Sequence, residues 1–295
     1  MSDQAAKLRR IAESGIYRPM VESSSNCRVI AVTSGKGGVG KTNITVNLAL
    51  ALISLGKRVI IIDADIGLAN IDVVLGITPQ YDISSLLNGS KKLTEIISEG
   101  PYGVRFIAGG SITSEIVMMS DWQLDKMARS FVELEEFTDI ILIDTGAGIS
   151  KNVLSFVMAA PEVLVVTTPE PTSMADAYGI IKMIKMRSAQ PNISLIVNRA
   201  ESQLDSEDAK RKLIAVSKRF LGVDVGYAGD IPNDPVVSQC VRKQQPFFAV
   251  SPNAPASKSI YAVAEKIAGM ASDNPTVQNG VKQFFTRLGR IIIGG

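Results

Sequence analysis

Histidine is absent from this chain of 295 residues. Its absence excludes His-based catalytic triads and His-containing metal sites. Cysteine occurs only as Cys27 and Cys240, with no C-x-x-C. Neither a zinc ribbon, a cluster scaffold nor a disulfide framework is indicated, and a reducing cytosol is expected. The net charge of +2 is too small to imply a bulk polyanion partner. No apolar run is long enough to span a bilayer, and the most apolar window, Val153 to Val166, is broken by Pro161 and Glu162. Met1 to Arg10 is polar and charged, unlike a secretory signal. No repeat or low-complexity tract appears. The remaining composition, 46% hydrophobic and 20% charged, is that of a globular chain long enough for one large α/β domain.

Against that plain background stands Gly35-Lys36-Gly37-Gly38-Val39-Gly40-Lys41-Thr42, which satisfies G-x-x-x-x-G-K-[ST], the phosphate-binding loop. An apolar run, Val29 to Val32, precedes it and reads as a buried strand; a helical pattern, Ile44 to Leu55, follows. Glycines let the backbone approach phosphate oxygens, and the loop N–H groups and helix N-terminus point at negative charge. Lys41 is expected on the β- and γ-phosphates and Thr42 on Mg²⁺. Lys36 is an extra cation that an ordinary phosphate loop does not need.

Uniformly apolar strand patterns alternate with helices from Arg28 onward, at Val29–Thr33, Arg58–Asp63, Val104–Ala108, Ile140–Asp144, Val163–Thr167, Ser194–Val197 and Val225–Ala228. This predicts a doubly wound, mostly parallel sheet in a three-layer α/β/α sandwich. One helix is expected from Ile83 through Asn88 to Ser98. Ligands of such sheets sit at the carboxyl ends of strands. Asp63 and Asp65 follow Val59 to Ile62, and Asp144 follows Ile140 to Ile143. One aspartate at a strand end ordinarily starts a turn or caps a helix; three beside a phosphate loop point to Mg²⁺, with Asp63 and Asp144 joining Thr42 as candidate metal-site residues.

Lys36-Gly37-Gly38-Val39-Gly40-Lys41-Thr42 resembles the deviant Walker A motif of the MinD/ParA ATPases. That resemblance implies an ATP-dependent homodimer in which Lys36 reaches the partner's nucleotide. Asp63 to Asn70 resembles the family's switch I, which assigns Asp65 the placing of the attacking water. Asp144-Thr145-Gly146-Ala147-Gly148 resembles switch II, with Gly146 altering the usual proline-bearing form. Asn198, with Arg199 beside it, resembles the adenine-reading asparagine, and Ile231-Pro232-Asn233-Asp234 the loop closing over the base. The implied activity is a slow, dimer-dependent ATPase using ATP/ADP and Mg²⁺. The iron–sulfur members need paired cysteines, which this chain lacks.

Both ends of the chain extend this picture. Residues 1–13 read as a short helical segment and 14–27 as a Gly-, Pro- and Ser-containing linker; composition alone favours a disordered leader. Asp3-Gln4-Ala5, with Leu8 and Arg9, resembles the activator motif of the FlhG branch, which controls flagellar number and placement. The implied partners are an FlhF-type GTPase and flagellar C-ring proteins. An ATPase domain is expected over 28–272. Residues 280–293 form a final amphipathic helix with Val281, Phe284, Phe285, Leu288 and Ile292 on one face and Lys282, Arg287 and Arg290 around the other. That pattern fits an anionic membrane surface, or a helix docked on its own domain. The expected location is the cytoplasm, peripherally on the inner face of the membrane. The alternatives are a MinD-type division-site regulator, a ParA-type DNA partition ATPase and a nucleotide-stabilised binding module. The basic residues between Asp208 and Arg219 are offset by acids, so DNA is not favoured.

Overall fold

The computed structural model describes residues 27–65, 70–110, 128–187, 191–269 and 280–293. The N-terminal activator segment and nearly all of its linker lie outside the described residues. Eight strands form one sheet: β1 Arg28–Ser34, β2 Val59–Ala64, β3 Ile97–Glu99, β4 Arg105–Ile107, β5 Ile140–Ala147, β6 Glu162–Thr167, β7 Asn192–Ala200 and β8 Val225–Pro232. Their order is β3-β4-β2-β5-β1-β6-β7-β8, parallel throughout except for the β3–β4 pair. The central strands are apolar on both faces because both are covered. Along β1, Val29 and Ala31 face one core while Ile30 and Val32 face the other. This is the expected three-layer sandwich.

The helices that matter below are α1 Lys41–Ser54, α2 Ile71–Leu75, α3 Ile83–Leu87, α4 Leu93–Ile96, α5 Lys151–Ala159, α6 Pro171–Met186 and α7 Gln203–Val216. They continue with α8 Pro235–Arg242, α9 Phe247–Val250, α10 Pro255–Gly269 and α11 Gly280–Ile293. Helices α1 and α10 cover one face of the sheet; α5, α6 and α11 cover the other.

The helix expected from Ile83 to Ser98 is not continuous. It ends at Leu87, Gly89 turns left-handed at φ 77°, a short α4 follows, and Ile97 to Glu99 pair with β4 as an antiparallel edge strand. Asn88-Gly89-Ser90 broke the pattern more strongly than the flanking apolar residues sustained it. Helices α2 and α9 were not foreseen; their five and four residues are too short to show a period.

Helix α11 is part of the core. Val281, Phe284, Phe285, Leu288 and Ile292 are each at most 4% exposed. They pack on α5, on β1 and on Phe131, whose ring stacks on Phe285 with centroids 3.8 Å apart. The Glu135 carboxylate accepts from the Val281 N–H at 3.2 Å, at the positive end of this helix. Lys282, Gln283, Arg287 and Arg290 face outward. The apolar face read from the sequence is real, and here a protein groove covers it.

Candidate active site

The phosphate loop leaves β1 and enters α1, whose first residue is Lys41. The residue before it, Gly40, adopts φ 93°, a left-handed conformation that favours glycine. A side chain there would also meet the Asn198 amide nitrogen at 2.5 Å. At the start of the loop, a Cβ on Gly35 would lie 2.2 Å from the Asp176 backbone of α6. The two glycines therefore set how closely the loop approaches β7 and α6.

Asp144 lies within β5, level with Asp63 on β2, so the two carboxylates belong to adjacent parallel strands. Asp144 is wholly buried. Its Oδ1 accepts from Lys41 Nζ and Thr45 Oγ1, both at 2.9 Å, and its Oδ2 from Thr42 Oγ1 at 2.7 Å. Asp63 has a different set of partners. Its Oδ1 accepts from the Asp65 N–H, and its Oδ2 from the N–H groups of Asn70 and Ile71. It thus ties the two ends of the switch-like segment to β2. Burial, with Asp144 beside it, pushes the Asp63 carboxyl up to about 6 against those backbone bonds.

Asp65 is half-buried at the start of that segment and accepts from the Asn70 amide at 3.0 Å. Burial raises its pKa from the ordinary aspartate value, and the nearby Lys41 partly opposes the shift. Gly146 explains why Asp65 sits so near β5: a Cβ there would come within 3.0 Å of Asp65 Oδ1 and 3.2 Å of Val153. The departure from a proline-bearing form therefore makes room between Asp65 and α5.

Lys36 is not gathered with these groups. It is exposed, with Nζ 3.3 Å from both Glu170 Oε2 and Thr172 Oγ1 at the start of α6. Lys41 and Lys36 thus point to different places, one into the site and one along its rim.

Beside the loop lies a cleft of about 340 Å³ lined by Asn198, Arg199, Pro232, Arg242 and Phe247. Asn198 donates to the Val39 carbonyl at 2.7 Å. Arg199 takes φ 57° at an irregularity where Asn198 pairs with Ile231 and Ala200 with Pro232. This bulge turns the neighbouring side chains in different directions. Asp234 pins the closing loop, accepting from Val236 N–H at 2.9 Å and Ala256 N–H at 3.2 Å. A cleft of this size suits a nucleoside.

The donor set fits a Mg²⁺–nucleotide. Loop N–H groups and Lys41 suit phosphates, while a hydroxyl and carboxylates, all hard oxygens, suit Mg²⁺. When bound, the nucleotide supplies the phosphoanhydride bond and the cation its charge. Thr45 and Phe247 were not singled out from the sequence, and Asn70 and Asp234 only as the ends of motifs. Helical spacing puts Thr45 one turn beyond Lys41 but carries no sign of its bond to Asp144.

A family model described as ParA, NUBPL iron-transfer P-loop NTPase, matches residues 26–268. The antiactivator FleN of Pseudomonas aeruginosa is 42% identical over 240 residues, covering 81% of this chain and 86% of that protein. The flagellum site-determining protein YlxH of Helicobacter pylori is 34% identical over 294 residues, 98% of each chain. The septum site-determining protein MinD of Pyrococcus horikoshii, solved with Mg-ADP, superposes with a TM-score of 0.68 at 27% identity, covering 83% of this chain and 98% of that one. The iron-transfer part of the family description finds no counterpart in the cysteines. Cys27 and Cys240 are buried in opposite cores, and burial pushes the Cys27 thiol up to about 12.

Proposed function

The chain belongs to the ParA family of P-loop NTPases, and from that premise we propose that it regulates the number and placement of bacterial flagella as a slow, ATP-dependent dimer. The proposed cofactors are ATP/ADP and Mg²⁺. The observation that carries the flagellar reading is the similarity to YlxH over 98% of this chain. The N-terminal Asp3, Gln4, Ala5, Leu8 and Arg9 carry the activator resemblance beside it.

In this reading Lys41 and the loop N–H groups hold the phosphates, and Thr42, Asp63 and Asp144 form the cation site. Asp65 orients the attacking water. Asn198, Arg199 and Pro232 receive the base. Lys36, on the rim and exposed, reaches the nucleotide of a second copy. Bringing two copies together completes both sites.

The same chain places itself on the inner face of the membrane through α11. No helix among the described residues is long and apolar enough to cross a bilayer. A docked amphipathic helix needs only to leave its groove to lie on one. The wall of that groove, α5, starts four residues after β5, the strand that carries Asp144. A change at the nucleotide therefore has a short covalent route to the groove. One docked helix hides its apolar face; two released helices on a dimer bind with avidity.

A DNA partition role is less well supported. On α7, Lys210 pairs with Glu207, and Arg211 and Lys212 with Asp208. These pairs leave little unbalanced positive charge for phosphates.

The deciding experiment measures GTP hydrolysis by an FlhF-type GTPase with the full chain, with a peptide of Ser2 to Ile11, and with a chain lacking Ser2 to Arg10. The full chain and the peptide should both stimulate. Gln4→Ala should abolish stimulation and leave the chain's own ATP hydrolysis intact. Stimulation that survives the deletion would overturn the activator assignment.

A further inference from the structure

We propose that Thr45 is a positioning residue that keeps Asp144 aligned once ligand has drawn away its other two partners. The inference rests on reading this site as a Mg²⁺–nucleotide site.

Among the described residues Asp144 has three side-chain donors: Lys41, Thr42 and Thr45. Two of them have competing work. A phosphate-loop lysine is drawn to phosphate and the following hydroxyl to the cation. Neither then serves Asp144 as it does here. The neighbouring carboxylate, Asp63, is a like charge and cannot replace them.

Thr45 is the donor without another call on it from ligand. It is wholly buried on α1, one turn beyond Lys41. Its hydroxyl lies 3.1 Å from the Lys41 carbonyl and 2.9 Å from Asp144 Oδ1. A hydroxyl carries one proton. While the Lys41 ammonium also serves Oδ1, that proton is shared between the two acceptors; once the ammonium leaves, the carboxylate is the stronger claimant. The β-branched side chain has few rotamers within a helix, so the hydroxyl is placed by the backbone of the phosphate-loop helix itself. Outer partners of this kind orient the groups that hold a metal and tune its affinity.

The readout is the Mg²⁺ dependence of ADP affinity, measured on the full chain by titration calorimetry in excess Mg²⁺ and in chelator. The wild type should bind ADP more tightly with the cation. Thr45→Val should match it in chelator but lose about tenfold or more of the Mg²⁺ gain. Thr45→Ser should restore the gain. If Thr45→Val does not fold, Thr45→Ala and Thr45→Ser carry the same comparison. An undiminished Mg²⁺ gain in the variant lacking the hydroxyl overturns the proposal. So does an equal loss with and without cation that Ser does not repair, because that marks a purely structural role. A wild type indifferent to Mg²⁺ would instead overturn the reading of the site.

Discussion

Replacing Phe131 by alanine should place the chain on anionic vesicles without ATP. Phe131 is wholly buried, and its ring stacks on Phe285 of α11 with an interplanar angle of 22°. It belongs to the groove and not to the helix, so the change leaves the membrane-facing side chains untouched. A buried Phe→Ala substitution costs about 3–5 kcal/mol. Part of that falls on the domain whether α11 is docked or free. If about 2 kcal/mol falls on the docked contact, the ratio of docked to free helix drops roughly 30-fold. That is enough to convert a rare open state into a readily trapped one. Sedimentation with anionic vesicles reads the outcome. The wild type should pellet with ATP and stay in solution with ADP, whereas Phe131→Ala should pellet with either. Phe285→Ala is the control: it removes the same stack but also a ring that enters the lipid, so it should pellet less than Phe131→Ala. A folded Phe131→Ala chain that still needs ATP to sediment would refute the idea that docking withholds the helix.

Three further outcomes follow from the site. Lys36→Ala should bind nucleotide but neither dimerise nor hydrolyse ATP, and Lys41→Ala should lose nucleotide affinity; analytical ultracentrifugation with ATP decides the first, and a normal Lys36→Ala dimer would sink the cross-dimer role. The contribution of Asp63 to the stability of the nucleotide-free domain should fall as pH rises from about 4 to about 6. The Asp63 carboxyl is raised to about 6 in the fold, so in that window the native state binds more protons than the unfolded state, worth about 3 kcal/mol in all. Urea melts of wild type and Asp63→Asn at about pH 5 and about pH 7 isolate the effect, and a difference between them that does not change with pH would refute it.

The sheet was legible because its central strands are continuous apolar runs and the phosphate loop sits between an unmistakable strand and helix. The carboxylates were legible for the same reason: Asp63 and Asp144 end apolar runs on neighbouring strands. Their division of labour was not. Which oxygen accepts from a backbone N–H and which from Lys41 depends on how residues 65 and 70–71 come back to β2, and no local pattern encodes that. Thr45 was hidden because a threonine in a helix usually bonds its own backbone, and the second bond, to Asp144, joins residues 99 apart in the chain. The break at Gly89 lay in the local turn residues Asn88-Gly89-Ser90, whereas the edge strand at Ile97 was hidden because its pairing with Ile107 outweighs local helical preference. The face of α11 was read correctly, yet an amphipathic stripe does not say whether protein or lipid covers it.

That last point bears on how the protein responds to heat. Ordinary ligands bind the native state and raise its melting temperature. A bilayer that takes α11 would do the reverse to the rest of the domain. It would remove Phe284, Phe285 and Leu288 from the core they complete and leave Phe131 and the α5 side of the groove uncovered. On the proposed reading, lipid and the groove compete for the same five apolar side chains. The lipid-held domain would then melt at a lower temperature than the free one unless a second copy covers what the helix left bare.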